Sequence, residues 1–144
     1  SKHMQRKASA AWQGGIKDGK GTISTESRVL AATPYSFSAR FEGAPGTNPE
    51  ELLAASHAGC FSMALSLILG EAGIRPERID TTATVTLEKL ETGFTVTKIH
   101  LDVTVAAPGA ERGKFEAAAA KAKVNCPISK VLRADISMDA RLAA

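Results

Sequence analysis

Two cysteines, Cys60 and Cys126, are the residues of this sequence best suited to covalent chemistry. A thiolate is a nucleophile and a metal ligand, and two thiols together can hold a pair of electrons as a disulfide. An unperturbed thiol has a pKa near ~8.5, so only about 3% is ionised at pH 7. A reactive cysteine therefore needs surroundings that favour its thiolate. The 65 residues between Cys60 and Cys126 exclude a short C-x-x-C motif. Three readings stand side by side: inert thiols packed as small hydrophobes, metal ligands, or a redox pair. His57 lies three residues before Cys60 and shares its helix face, as metal ligands can. With Cys126 that makes three ligands, and no fourth is evident from spacing.

The element that must position Cys60 is a long helix. Gly46-Thr47-Asn48-Pro49-Glu50-Glu51 reads as its start. Asn48 can cap, Pro49 fits the first helical position, and Glu51 stands three residues after the cap. The helix is expected to run to about Ala72, with Gly73 as its stop. Cys60 then falls mid-helix, about 16 Å from the N-terminus, too far for the macrodipole to lower its pKa. It needs a cation brought by tertiary structure. Cys126 differs, because it precedes Pro127 at the cap of an expected short helix over Ile128–Leu132. Backbone N–H groups there can stabilise a thiolate, so local sequence makes Cys126 the more acidic thiol.

Around this helix the sequence alternates β and α blocks. Strands are expected over Lys7–Gln13, Gly21–Ser27 and Tyr35–Glu42, the last on the alternation of Phe37, Ala39 and Phe41. Arg40 accordingly belongs to a strand, and it and Glu50 read in isolation as solvated surface charges. A hairpin is expected from Thr81–Leu90 and Phe94–Ala106 through Glu91-Thr92-Gly93. An Ala-rich helix, Glu111–Lys123, follows, and Asp135–Leu142 is the last strand. Clustered strands indicate an α+β architecture. Leu52–Gly70 carries no formal charge over 19 residues, near the length of a spanning helix. Its serines, His57 and lack of basic flanks favour a helix buried on nearly all sides in a soluble protein. One thin sheet cannot cover such a helix, which points to a dimer.

Composition narrows the function classes. The net charge of +3 comes from 18 basic and 15 acidic residues, scattered without a basic stripe or interleaved aromatics. Nucleic-acid binding is not indicated. Ser1–His3 reads as an expression-tag remnant and residues 4–144 as a single domain, with no signal peptide after Met4. A cytoplasmic location is expected.

Two stretches carry a resemblance to a known family. Gly46-Thr47-Asn48-Pro49-Glu50-Glu51-Leu52-Leu53 with His57-Ala58-Gly59-Cys60-Phe61-Ser62-Met63-Ala64 is one, and Asn125-Cys126-Pro127-Ile128-Ser129-Lys130 is the other. Both closely resemble the osmotically inducible protein C family, relatives of the organic hydroperoxide resistance proteins. Gly19–Ser27 and Ser38–Gly43 resemble the osmotically inducible branch. The resemblance implies an intertwined homodimer in which two sheets wrap long central helices. It implies a thiol peroxidase for organic hydroperoxides, with Cys60 peroxidatic, Cys126 resolving, Arg40 stabilising the thiolate and Glu50 orienting Arg40. The implied reductant is a dithiol, of lipoyl type, and no cofactor or metal is implied. Ten residues of helix separate Glu50 from Cys60, roughly 15 Å along the axis, so Glu50 is expected to act across the dimer, the alternative being a helix that bends or starts later. Phe61, Met63, Ala64 and Leu67 are expected to give the site an apolar wall. The rival reading is a non-catalytic stress-induced dimer that binds a ligand or zinc.

Overall fold

The computed structural model describes residues 2–143. The chain forms two compact units, one ending at Leu52 and one beginning at Leu53.

In the first unit, β1 (Ala8–Gln13), β2 (Lys20–Thr25) and β3 (Thr33–Tyr35) form an antiparallel sheet in that order. Trp12 and Tyr35 come from the two outer strands, and their ring centroids lie 5.4 Å apart across β2. Gly21 makes this possible: a Cβ there would stand 2.4 Å from the Tyr35 ring and 2.6 Å from Trp12. The expected strand Tyr35–Glu42 is not formed. The sheet stops at Tyr35, and α1 (Phe37–Phe41) takes over, so Arg40 stands on a helix. The cause is local. The Ser36 hydroxyl accepts from the Ala39 N–H at 3.1 Å, capping the turn. Phe37 and Phe41, four apart, then meet with centroids 4.9 Å apart.

Helix α2 (Pro49–Glu71) starts as its sequence directs. The Glu51 N–H donates to Asn48 Oδ1 at 2.7 Å, and Pro49 opens the first turn. Glu51 does not reach back to the Asn48 backbone; its carboxylate accepts from the Thr47 hydroxyl at 2.9 Å. At the other end Gly73 takes φ +79°, and the Ile74 N–H closes on the Leu69 carbonyl at 2.8 Å. That six-residue closure satisfies a terminal carbonyl and needs the left-handed residue glycine supplies.

The second unit builds a sheet from β4 (Arg78–Leu90), β5 (Gly93–Ala106) and β6 (Asp135–Leu142). β4 and β5 form the expected hairpin, while β6 pairs parallel to β5. That parallel return requires a crossover, supplied by α3 (Arg112–Asn125) and α4 (Pro127–Val131). On β5, Ile99, Leu101, Val103 and Val105 alternate inward and are fully buried. Leu101, Val103 and Val105 cluster with Phe61, Leu65 and Leu69 of α2, a stripe of fours along one helix face. Phe115, Ala118, Ala119 and Ala122 of α3 complete this core. The small alanines let α3 come close where aromatics are few.

α2 is long and apolar enough, by length and composition, to cross a membrane. Within the chain the buried residues of α2 are the stripe of His57, Phe61, Leu65 and Leu69. Met63 remains 78% and Leu67 65% exposed on the other face.

Candidate active site

Cys60 and Cys126 come together in the second unit, their sulfurs 2.9 Å apart as free thiols. Helix α2 carries Cys60 in the turn before Leu65, packed against the core but partly open. Cys126 is fully buried between α3 and α4, ending one helix and capping the next. Pro127 enforces this break, because the residue before a proline avoids the helical region. Cys126 accordingly has φ −52° and ψ 126°, extended rather than helical.

The two thiols have different electrostatic surroundings. Burial pushes the Cys60 thiol up, and the adjacent Cys126 sulfur pushes it further, against a smaller pull from the Ile128 N–H. Burial also raises Cys126, but the neighbouring Cys60 thiol and the polar groups of Ser129 and Ile128 outweigh it and lower its pKa. The sequence expectation that Cys126 is the more acidic thiol agrees with this arrangement. The largest lowering influence is the neighbouring Cys60 thiol, to which the Ser129 and Ile128 groups at the start of α4 add. The pair can share one proton, carried by Cys60.

An open cleft of about 700 Å³ starts at Cys60. Met63, Ala64, Leu67 and Ile68 line it from α2, with Lys121, Asn125 and Pro127 opposite. Three of the four residues expected around Cys60 are therefore there. Phe61 is not; it points into the core and is fully buried, because it belongs to the stripe of fours facing β5.

Arg40 and Glu50 meet in the first unit. Arg40 Nε donates to Glu50 Oε1 at 3.0 Å and Nη2 to Oε2 at 2.9 Å, a two-pronged ion pair. The guanidinium also lies over the Phe41 ring, 5.2 Å from its centroid. It borders a cavity of about 240 Å³ lined by Trp12, Ile16, Tyr35, Phe37 and Phe41. Arg40 is thus held at both its charge and its planar face.

His57 is fully buried on α2. Its Nε2 stands 2.8 Å from the Ser129 hydroxyl. Among the described residues no three His, Cys, Asp or Glu side chains gather as a metal site. Ser129 escaped notice in the sequence. Its signal is there: a serine three residues after the cap cysteine of a helix begun by Pro127, where the side chain sits over the first turn.

With these positions in place, comparison with known proteins is informative. The family model described as OsmC-like protein matches residues 41–141. The chain belongs to the OsmC-like family. It is 56% identical over 139 residues to peroxiredoxin OsmC of Escherichia coli (strain K12), covering 96% of this chain and 97% of that protein. The crystal structure of the organic hydroperoxide resistance protein OhrB of Bacillus subtilis is similar at a TM-score of 0.66 and 29% identity, over 95% of this chain and 98% of that one. An OsmC-like protein from Mycoplasma pneumoniae shares the fold at a TM-score of 0.76, with 15% identity over 98% of this chain and 99% of that one.

Proposed function

We propose that this OsmC-like protein is a cysteine-based peroxidase for organic hydroperoxides, with Cys60 as the peroxidatic and Cys126 as the resolving thiol. The observation that carries the reading is the 2.9 Å approach of two free sulfurs at the end of a largely apolar cleft. The printed names of its relatives, a peroxiredoxin and organic hydroperoxide resistance proteins, support the same class.

The chemistry balances as follows. The Cys60 thiolate attacks the terminal oxygen of the hydroperoxide, the O–O bond breaks, and the alkoxide leaves with a proton as an alcohol. Cys60 is then a sulfenic acid. The Cys126 thiolate attacks that sulfur, forming the S–S bond, and hydroxide leaves with a proton as water. A dithiol, of lipoyl type in this proposal, returns both thiols by two exchanges and becomes a disulfide itself. Of the two, Cys60 is the partly open thiol that borders the cleft, which suits it to meet peroxide first. Its raised pKa means that an added cation is needed. Arg40, oriented by Glu50, is the candidate. With Glu50 at the start of α2 and Cys60 ten residues on, the proposed pairing is between subunits of an intertwined homodimer. The exposed apolar face at Met63 and Leu67 favours such a partner. The protein in this reading is soluble and cytoplasmic.

Bulky organic hydroperoxides should be reduced faster than hydrogen peroxide. Each buried methylene contributes about 0.8 kcal/mol, so two or three supply roughly tenfold or more. Peroxide consumption with dihydrolipoamide as reductant tests this, using cumene hydroperoxide, tert-butyl hydroperoxide and hydrogen peroxide at one pH. Equal rate constants for all three would remove the apolar cleft from the account. No turnover with any of them would reject the peroxidase.

A further inference from the structure

The sequence holds five Phe, one Trp and one Tyr, and four of these seven aromatics surround one cavity of the first unit. Trp12 comes from β1, Tyr35 from β3, and Phe37 and Phe41 from α1. The cavity measures about 240 Å³. Two tilted ring pairs build its wall, Trp12 with Tyr35 at 56° and Phe37 with Phe41 at 48°. All four rings are half-buried rather than packed away in a core. Among the residues that line the cavity, Arg40 alone is charged.

We propose that this cavity binds the aromatic ring of an uncharged aryl hydroperoxide, so that Trp12, Tyr35, Phe37 and Phe41 set the preference among organic substrates. Size, shape and charge each argue for that ligand. An apolar cavity of about 150 Å³ takes up benzene, so this one has room for a ring with a branched carbon attached. Aromatic rings favour edge-to-face and offset contacts, which tilted walls offer and an alkyl group cannot return. Charge decides the rest. Arg40 gives Nε and Nη2 to the Glu50 carboxylate, so an anionic ligand would meet Glu50 as well as Arg40 and gain little. An uncharged oxygen can accept from Nη1, the guanidinium nitrogen outside that pair, without such repulsion. Lys17 is engaged by the Phe37 ring, 6.0 Å from its centroid, and does not line the cavity.

The consequence for catalysis rests on the reading above, because Arg40 is the residue through which the cavity joins the proposed peroxide chemistry. The cleft at Cys60 favours organic peroxides over hydrogen peroxide, but its apolar wall on α2, Met63, Ala64, Leu67 and Ile68, has no aromatic ring to tell an aryl group from an alkyl one. The aromatic cavity adds that second discrimination. Binding of a ring there uses neither thiol, so it is measured apart from turnover.

Trp12 is the sole tryptophan of the chain and lines the cavity, so its fluorescence reports occupancy. The reduced protein would be titrated with cumyl alcohol, tert-butanol and benzoate. Cumyl alcohol should shift the emission saturably, and the other two should need at least about tenfold higher concentrations. No saturable shift with cumyl alcohol, or benzoate or tert-butanol binding as tightly, would overturn the proposal. The kinetic arm uses Phe37→Leu, which keeps an apolar side chain but removes a ring. It should lower kcat/KM for cumene hydroperoxide about tenfold and change that for tert-butyl hydroperoxide less than about twofold. An unchanged ratio of the two constants rejects the cavity as the selective element. Should Phe37→Leu fail to fold by circular dichroism, Trp12→Leu gives the same comparison, and the wild-type titration needs no variant. Saturable binding of cumyl alcohol without turnover of any peroxide would reject the peroxidase and leave the aryl site standing. Turnover without that binding would reject the site alone.

Discussion

Replacing Cys60 by serine is expected to abolish reduction of cumene hydroperoxide, while Cys126→Ser should still allow one oxidation per chain. The asymmetry follows from the two steps proposed. Without Cys60 no sulfur borders the cleft to accept the terminal oxygen, since Cys126 is fully buried behind it. Without Cys126 the first step proceeds, but the sulfenic acid has no neighbour with which to condense. Trapping with a sulfenic-acid reagent followed by mass spectrometry should label Cys60 in Cys126→Ser. The opposite pattern, with Cys60→Ser oxidised at Cys126 and Cys126→Ser inert, would reverse the roles. That reversal is a serious competitor on electrostatic grounds, because Cys126 is the thiol whose pKa is lowered.

The second large effect expected is at Arg40. Arg40→Ala should raise the pKa of Cys60 and slow the peroxide step at neutral pH. The sign follows from the charges. A cation near a thiolate favours the ionised form and lowers the pKa, by about 1–3 units at 4–6 Å, so its removal raises it. The acid limb of the pH–rate profile then moves to higher pH, and the rate at pH 7 falls at least about tenfold. Arg40→Lys should recover the effect only in part, because an ammonium cannot reproduce the two-pronged pair with Glu50 or the stacking over Phe41. An unchanged pH profile in Arg40→Ala would remove Arg40 from the mechanism.

The start of α2 was legible because helix capping is local. Asn48, Pro49 and Glu51 need only one another, and the N–H of Glu51 does bond to Asn48. The hairpin of β4 and β5 and the strand β6 were legible from alternation for the same reason. Phe37–Phe41 misled because both periods fit: apolar residues at 37, 39 and 41 alternate, and 37 and 41 are also one helical turn apart. The cap at Ser36 decided between them, and it was not weighed. Composition reports how apolar α2 is, not what covers it: within the chain one stripe of it is buried. The meeting of Cys60 with Cys126 lies beyond any spacing argument, since it depends on the crossover from β5 through α3 and α4 to β6. Only the family resemblance had implied it. Ser129 and the inward turn of His57 depend on the same crossover, and a sequence read by motif saw two separate residues.

The central claim is that peroxide is reduced by this pair of thiols, and counting them tests it most directly. The reduced protein, freed of reductant and kept anaerobic, would be titrated with cumene hydroperoxide while free thiols and product alcohol are measured. One equivalent of peroxide per chain should remove two thiols and yield one equivalent of alcohol. Peptide mapping should then recover a disulfide joining Cys60 to Cys126. Peroxide consumed while both thiols stay free, or thiols lost without a Cys60–Cys126 linkage, would contradict the account.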